Sequence, residues 1–217
     1  MLPRRRKSAG LRLAHGWRLL NPRRLAVEAV RHFLRPAVRA VPPRLATRLG
    51  DCRIRLTERL ESAGGTELSS RWTQSAGALE IVLATSGIGG HELAIELLLC
   101  LGEALWETTI PAEREAYWKL LAGEIEAGVT GEIDEDALRE KRLLLSSRVS
   151  ARSRRRFERY ARASFAGAVA EYIHCLWHEV TLRIGPDHLP APHLRRRLEM
   201  LARWFPPGRG YRVFARR

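Results

Sequence analysis

Cysteine is scarce in this chain of 217 residues, with Cys52, Cys100 and Cys175 making up the whole complement. Their odd number, wide spacing and lack of any C-x-x-C pair leave no disulfide framework and no cysteine-based zinc site, so buried thiols are the expected role. Long hydrophobic runs are missing as well. The longest apolar stretch, Leu93 to Trp106, is broken by Glu96 and Glu103 and falls short of the roughly 20 clean residues that a membrane-spanning helix needs. No membrane span is therefore expected. The start, MLPRRRKSAGLRLAHGW, has charge but no continuous apolar segment and no small-residue cleavage site. It reads as carrying no secretory signal, and a cytoplasmic location follows by default. No P-loop, dinucleotide fingerprint, G-x-S-x-G or Cys/His nucleophile arrangement occurs, so phosphoryl transfer, redox and serine-hydrolase chemistry have no support.

Lysine is nearly absent, because 35 of the 38 basic residues are Arg. Against 24 acids they give a formal charge of +14. The charge is segregated: residues 1–60 carry +13, residues 61–147 carry −10 and residues 148–217 carry +11. Basic ends and an acidic middle can satisfy each other within one fold, so the potential met by a partner is smaller than the total. Such an arginine excess suits phosphate or carboxylate recognition and equally follows from a GC-rich genome. With 45% hydrophobic residues, the chain reads as one globular domain over residues 44–205, between a basic, partly helical segment at 1–43 and a basic tail at 206–217.

Apolar residues at near-helical spacing from Leu25 to Val41 predict an amphipathic helix kinked or broken at Pro36. Cys52, Ile54 and Leu56 alternate with Arg53, Arg55 and Thr57, the period of a half-buried strand. Glu61 to Ser70 reads as a loop. Ala78 to Thr85 (ALEIVLAT) is a second predicted strand, ended by Gly87, Gly89 and Gly90. Helical patterns then follow at His91–Glu107, Pro111–Glu126, Asp134–Val149, Ser164–Ile184 and Ala191–Phe205. Few strands followed by many helices predict an α+β fold, a small, mostly antiparallel sheet followed by a helical layer.

Two helices carry candidate chemistry. His91 and Glu92 open an apolar helix directly after a strand, the placement of the zinc-peptidase motif H-E-x-x-H, in which two His four apart hold the metal and the Glu activates its water. Ile95 stands at the position of the second His. In AEYIHCLWHEV, Glu171, His174, Cys175 and His178 fall on one helical face, which continues back through Ala168, Gly167 and Ser164. The face of His91 contains Ile95, Leu98, Gly102 and Leu105, and docking of the two faces at their small residues would bring His91 near Glu171 and His174. Plainer roles stand beside these. Glu92, Glu96, Glu103 and Glu107 make a solvated acidic face, Glu171 and His174 make a hydrogen-bonded pair, His174 and His178 a pH-responsive pair, and Trp106, Trp118, Trp177 and Trp204 are core.

The order strand ALEIVLAT, helix HELAIE, downstream helix AEYIHCLWHE resembles zincin-like metallopeptidases of the gluzincin type, over roughly residues 45–205. The resemblance implies a zincin-like fold, zinc as the ion, His91 as a metal ligand, Glu92 as general base and Glu171 as a third ligand; the imidazole missing at Ile95 can be supplied from the second helix by His174 or His178. It also implies a peptide or protein partner paired along strand 78–85. The altered motif points to a non-classical or inactive metallopeptidase homologue. A reading of another class is a nucleic-acid or anionic-surface binder acting through Arg4, Arg5, Arg6, Arg154, Arg155 and Arg156.

Overall fold

The computed structural model describes residues 10–75, 77–146, 151–178 and 185–214. The elements are β1 (Leu11–Arg12), β2 (Arg18–Leu20), α1 (Val27–Ala29), a π-helical turn (Val30–Leu34), α2 (Arg35–Ala40), α3 (Pro43–Leu49), β3 (Asp51–Thr57), β4 (Ser70–Ser75), β5 (Ala78–Ala84), α4 (Gly90–Glu107), α5 (Pro111–Glu126), α6 (Glu135–Leu145), α7 (Ala151–Trp177) and α8 (Ala191–Trp204). The class is α+β, as the pattern of few strands and many helices predicts. The chain forms two compact units, one of Met1–Arg39 and Leu49–Leu97, the other of Ala40–Arg48 and Leu98–Arg217. The N-terminal stretch contributes β1 and β2 to the first unit.

The first unit holds a five-stranded sheet in the order β1-β2-β3-β5-β4. Two pairings are antiparallel and two, β2–β3 and β3–β5, are parallel. The sheet is thus mixed rather than mostly antiparallel, because a helical connection separates β2 from β3 and the β4 excursion separates β3 from β5. The alternation of Cys52, Ile54 and Leu56 buries one face of β3 as its period requires, and Leu19, Leu79, Ile81 and Leu83 are buried beside them. Strands β1, β2 and β4 are absent from the sequence expectations: two are very short, and β4, SRWTQS, is exposed along most of its length. Pairing to β5 makes it a strand, with Gly77 at φ 77° serving the turn between them. β5 accordingly has a neighbour on each side, which removes the free edge expected for peptide pairing at 78–85.

Pro36 does not break the helix that precedes β3. Its ring would clash with the carbonyl of His32, four residues back, and the wider π turn over Val30–Leu34 relieves that clash while the helical path continues into α2.

In the second unit α7 is the central element, packed by α5, α6 and α8. Its basic beginning and apolar end form one helix of 27 residues. Trp106, Tyr117 and Phe165 meet ring to ring at 5.2–6.4 Å. Asp134 caps α6 by accepting from the backbone N–H of Ala137 at 2.9 Å. Beneath α8 lies an ionic cluster that the sequence does not announce. The fully buried Arg197 donates to Glu124 (2.5 Å), Glu132 (2.6 Å) and Ser164 (2.7 Å). Lys141, equally buried, donates to Glu132 and to the Gly131 carbonyl, each at 3.0 Å. Tyr160 adds a short hydrogen bond to Glu132. Two cations and two carboxylates thereby balance away from water, where an unmatched charge would be costly. Burial alone would raise the carboxyl of Glu132, but the Arg197 charge and hydrogen bonds, with Lys141 and Tyr160, hold it down at about 2.

Candidate metal centre

α4 begins where three sequence features coincide. At Gly90 a Cβ would lie 2.7 Å from the Ala29 Cβ and 2.8 Å from the Phe33 ring, so only glycine permits this approach of the helix start. Glu92 turns its carboxylate back to accept from the Gly89 N–H at 2.6 Å, closing the first turn. The His91 ring stands edge-on to Phe33 with 5.9 Å between centroids. Farther along, Gly102 meets α7: a Cβ there would lie 2.7 Å from the Cα of Ala166. The close helix crossing expected on sequence grounds exists, with Ala166 rather than Gly167 or Ser164 as its partner. Gly167 instead faces Asp134, and Ser164 bonds Tyr117 and Arg197.

At the other end of α7, His174 and His178 are four residues apart, and the His178 N–H donates to the His174 carbonyl at 3.0 Å, continuing the helical geometry by one residue. Their rings stack at 5.3 Å with 18° between planes, and Trp177 tilts against both. His174 is buried and His178 exposed. This i, i+4 pair has the spacing that H-E-x-x-H uses to present two imidazoles from one helix face. Among the described residues, ligand atoms of His91, His174 and His178 all lie within 4.8 Å of one another, a group that can hold a metal ion.

Glu171 is not in that group. Its Oε2 lies 3.6 Å from His174 Nδ1, and its Oε1 faces the Cys175 thiol at 4.0 Å. Burial, with the Glu171 charge added, pushes the Cys175 thiol up to about 12, leaving it protonated at neutral pH. All three cysteines are free thiols. Glu92, one residue from His91, is committed to the Gly89 amide.

The basic residues singled out in the sequence divide differently. Arg4, Arg5 and Arg6 lie outside the described residues. Arg154 and Arg155 are exposed on α7, while Arg156 is half-buried and donates to the Leu143 carbonyl at 2.9 Å. The ionic cluster was beyond sequence reasoning, since Arg197 is the last of three consecutive arginines and nothing in the sequence marks it as buried where Arg195 and Arg196 are exposed. Among the described residues no helix is long and apolar enough to cross a membrane. Comparison with protein-family models, curated proteins and solved structures returns no match to this chain.

Proposed function

We propose that this protein binds a first-row transition metal, zinc foremost, through His91, His174 and His178, as a rearranged zincin-like site. The observation that carries this reading is the convergence of three imidazoles within 4.8 Å. Three neutral nitrogens suit zinc and leave a fourth position for water or a ligand. The i, i+4 pair missing from α4, where Ile95 stands, is present on α7 instead. Glu171 beside His174 Nδ1 favours Nε2 as the ligating nitrogen and holds the ring in place, the role outer-shell carboxylates play at histidine metal sites. Zinc bound here would polarise whatever occupies the open position. Glu92, engaged in closing the first turn of α4, is not poised as a general base, so conventional peptidase turnover is not part of this reading.

Elemental analysis of the full chain after chelation and zinc reloading tests it. Near-stoichiometric zinc is expected, lost in His91→Ala, His174→Ala and His178→Ala, with Glu171→Gln weakening affinity about 10–100-fold. Zinc no higher in the wild type than in the triple alanine variant overturns the assignment, and casein cleavage by the zinc form would overturn its non-peptidase part.

A further inference from the structure

The sheet of the first unit carries an arginine array that is independent of the metal site. The strand register places Arg12 opposite Arg18, Arg18 opposite Arg53, and Arg53 opposite Glu80. Paired residues in adjacent strands project to the same face, with Cβ atoms about 4.5–5.5 Å apart. Three arginines therefore stand side by side across β1, β2 and β3, all exposed. A second row runs Leu20, Arg55, Val82, Arg71. Arg55 is paired with Glu80 at 2.7 Å. The side chains of Arg12, Arg18, Arg53 and Arg71 form no hydrogen bond or ion pair with any described residue. Between the rows and β4 lies a depression of about 330 Å³ lined in part by Arg55, Arg71, Thr73 and Glu80. The whole face holds five arginines against two carboxylates, Glu80 and Asp51.

Like charges directly opposite one another destabilise a sheet, so three in a row with no partner are poor for folding and suited to a ligand that brings the missing negative charge. Every cation is Arg, whose planar fork donates two parallel hydrogen bonds to a phosphate. Thr57, Thr73 and Ser75 supply hydroxyls of the kind that contact phosphate oxygens. The face offers little to other partners. Its half-buried Leu20 and Val82 give no apolar wedge for a lipid surface, and it presents no aromatic ring on which an unpaired base could stack, since Trp72 projects to the opposite side in register with Ile81. A duplex presents along each strand a continuous line of phosphates, one per roughly 3.4 Å of axis, which arginines set about 4.7–4.9 Å apart by neighbouring strands can meet one after another. We infer that the exposed face of this sheet binds double-stranded nucleic acid through its phosphates, without reading sequence.

Anisotropy titration of the full chain with a mixed-sequence duplex of about two helical turns tests this. With four unpaired arginines engaged, log K should fall against log salt with a slope of about −3.6, or about 150-fold between 50 and 200 mM. The triple variant Arg12→Gln, Arg18→Gln, Arg53→Gln should flatten that slope by about 2.7 while its melting temperature stays level or rises. The pair Arg154→Gln, Arg155→Gln, on α7, should leave the slope within one unit of the wild type. No duplex binding at low salt, or a slope that the triple variant does not change, overturns the inference. Equal or tighter binding of polyglutamate or of phosphatidylserine vesicles, lost in the same triple variant, overturns it in favour of an acidic peptide or a membrane surface.

Discussion

Replacing Arg197 with methionine should strip the second unit of much of its stability. The side chain is wholly buried and neutralises Glu124 and Glu132, themselves 3% and 1% exposed. Methionine fills much of the volume but leaves Glu132 with Lys141 and Glu124 with only the His193 imidazole 3.7 Å away, so one negative charge loses its cation. Breaking a buried pair in this way costs about 3–5 kcal/mol, a large share of the 5–15 kcal/mol that holds a typical domain folded. For a unit of this size that corresponds to a melting temperature lower by about 6–20 °C. Urea denaturation followed by tryptophan fluorescence and calorimetry would measure it. Combining Arg197→Met with Glu124→Gln restores charge balance, because Glu132 and Lys141 remain as a pair, and should recover more than half the loss. The cluster also fixes a pH dependence. Glu132 titrates at about 2 in the fold against 4.5 ordinarily, so it contributes stability that is present above pH 4.5 and lost as pH falls toward 2. The shift amounts to about 3 kcal/mol, and Glu132→Gln should abolish that part of the acid slope. A melting temperature within 2 °C of wild type for Arg197→Met, or a double variant whose losses simply add, would refute the charge-balance reasoning.

Asp134 titrates in the opposite sense: burial raises its carboxyl from 3.8 to about 6, and its Oδ2 is buried without a hydrogen-bond partner. The ionised form is disfavoured in the fold, so its contribution weakens as pH rises from about 4 to 6, by up to about 3 kcal/mol; denaturation of Asp134→Asn, which keeps the cap acceptor, should lack that slope. At Gly131 a Cβ would sit 2.1 Å from the His188 carbonyl oxygen, across the backbone bridge that joins Glu132 to His188. Gly131→Ala should therefore lower the melting temperature by several degrees in calorimetry, since the clash is with backbone that cannot rotate aside. Zinc at 100 times its dissociation constant should raise the melting temperature of the chelated protein by about 5–10 °C, and the same addition to His174→Ala should leave it unchanged.

The sequence by itself determined the elements whose signal is local. The alternation in β3, the apolar run of β5 and the helix of Pro111–Glu126 follow from periodicity, proline placement and caps that involve only near neighbours in the chain. It also determined that His174 and His178 share a helix face, because four residues on a helix is a fixed geometry. Only the tertiary structure decided what depends on distant partners. β1, β2 and β4 are strands because other strands pair with them, and their own residues carry little period. Pro36 stays inside a helix because a π turn absorbs its clash. His91 joins His174 and His178, while Glu171, on the same α7 face, stays outside the group; face position on a helix specifies direction but not which side chain reaches a point contributed by another segment. Arg197 became a core residue by the same logic, since it follows two exposed arginines and is buried by what the rest of the chain lays against it, and Arg12, Arg18 and Arg53 became a row because strand register set them side by side.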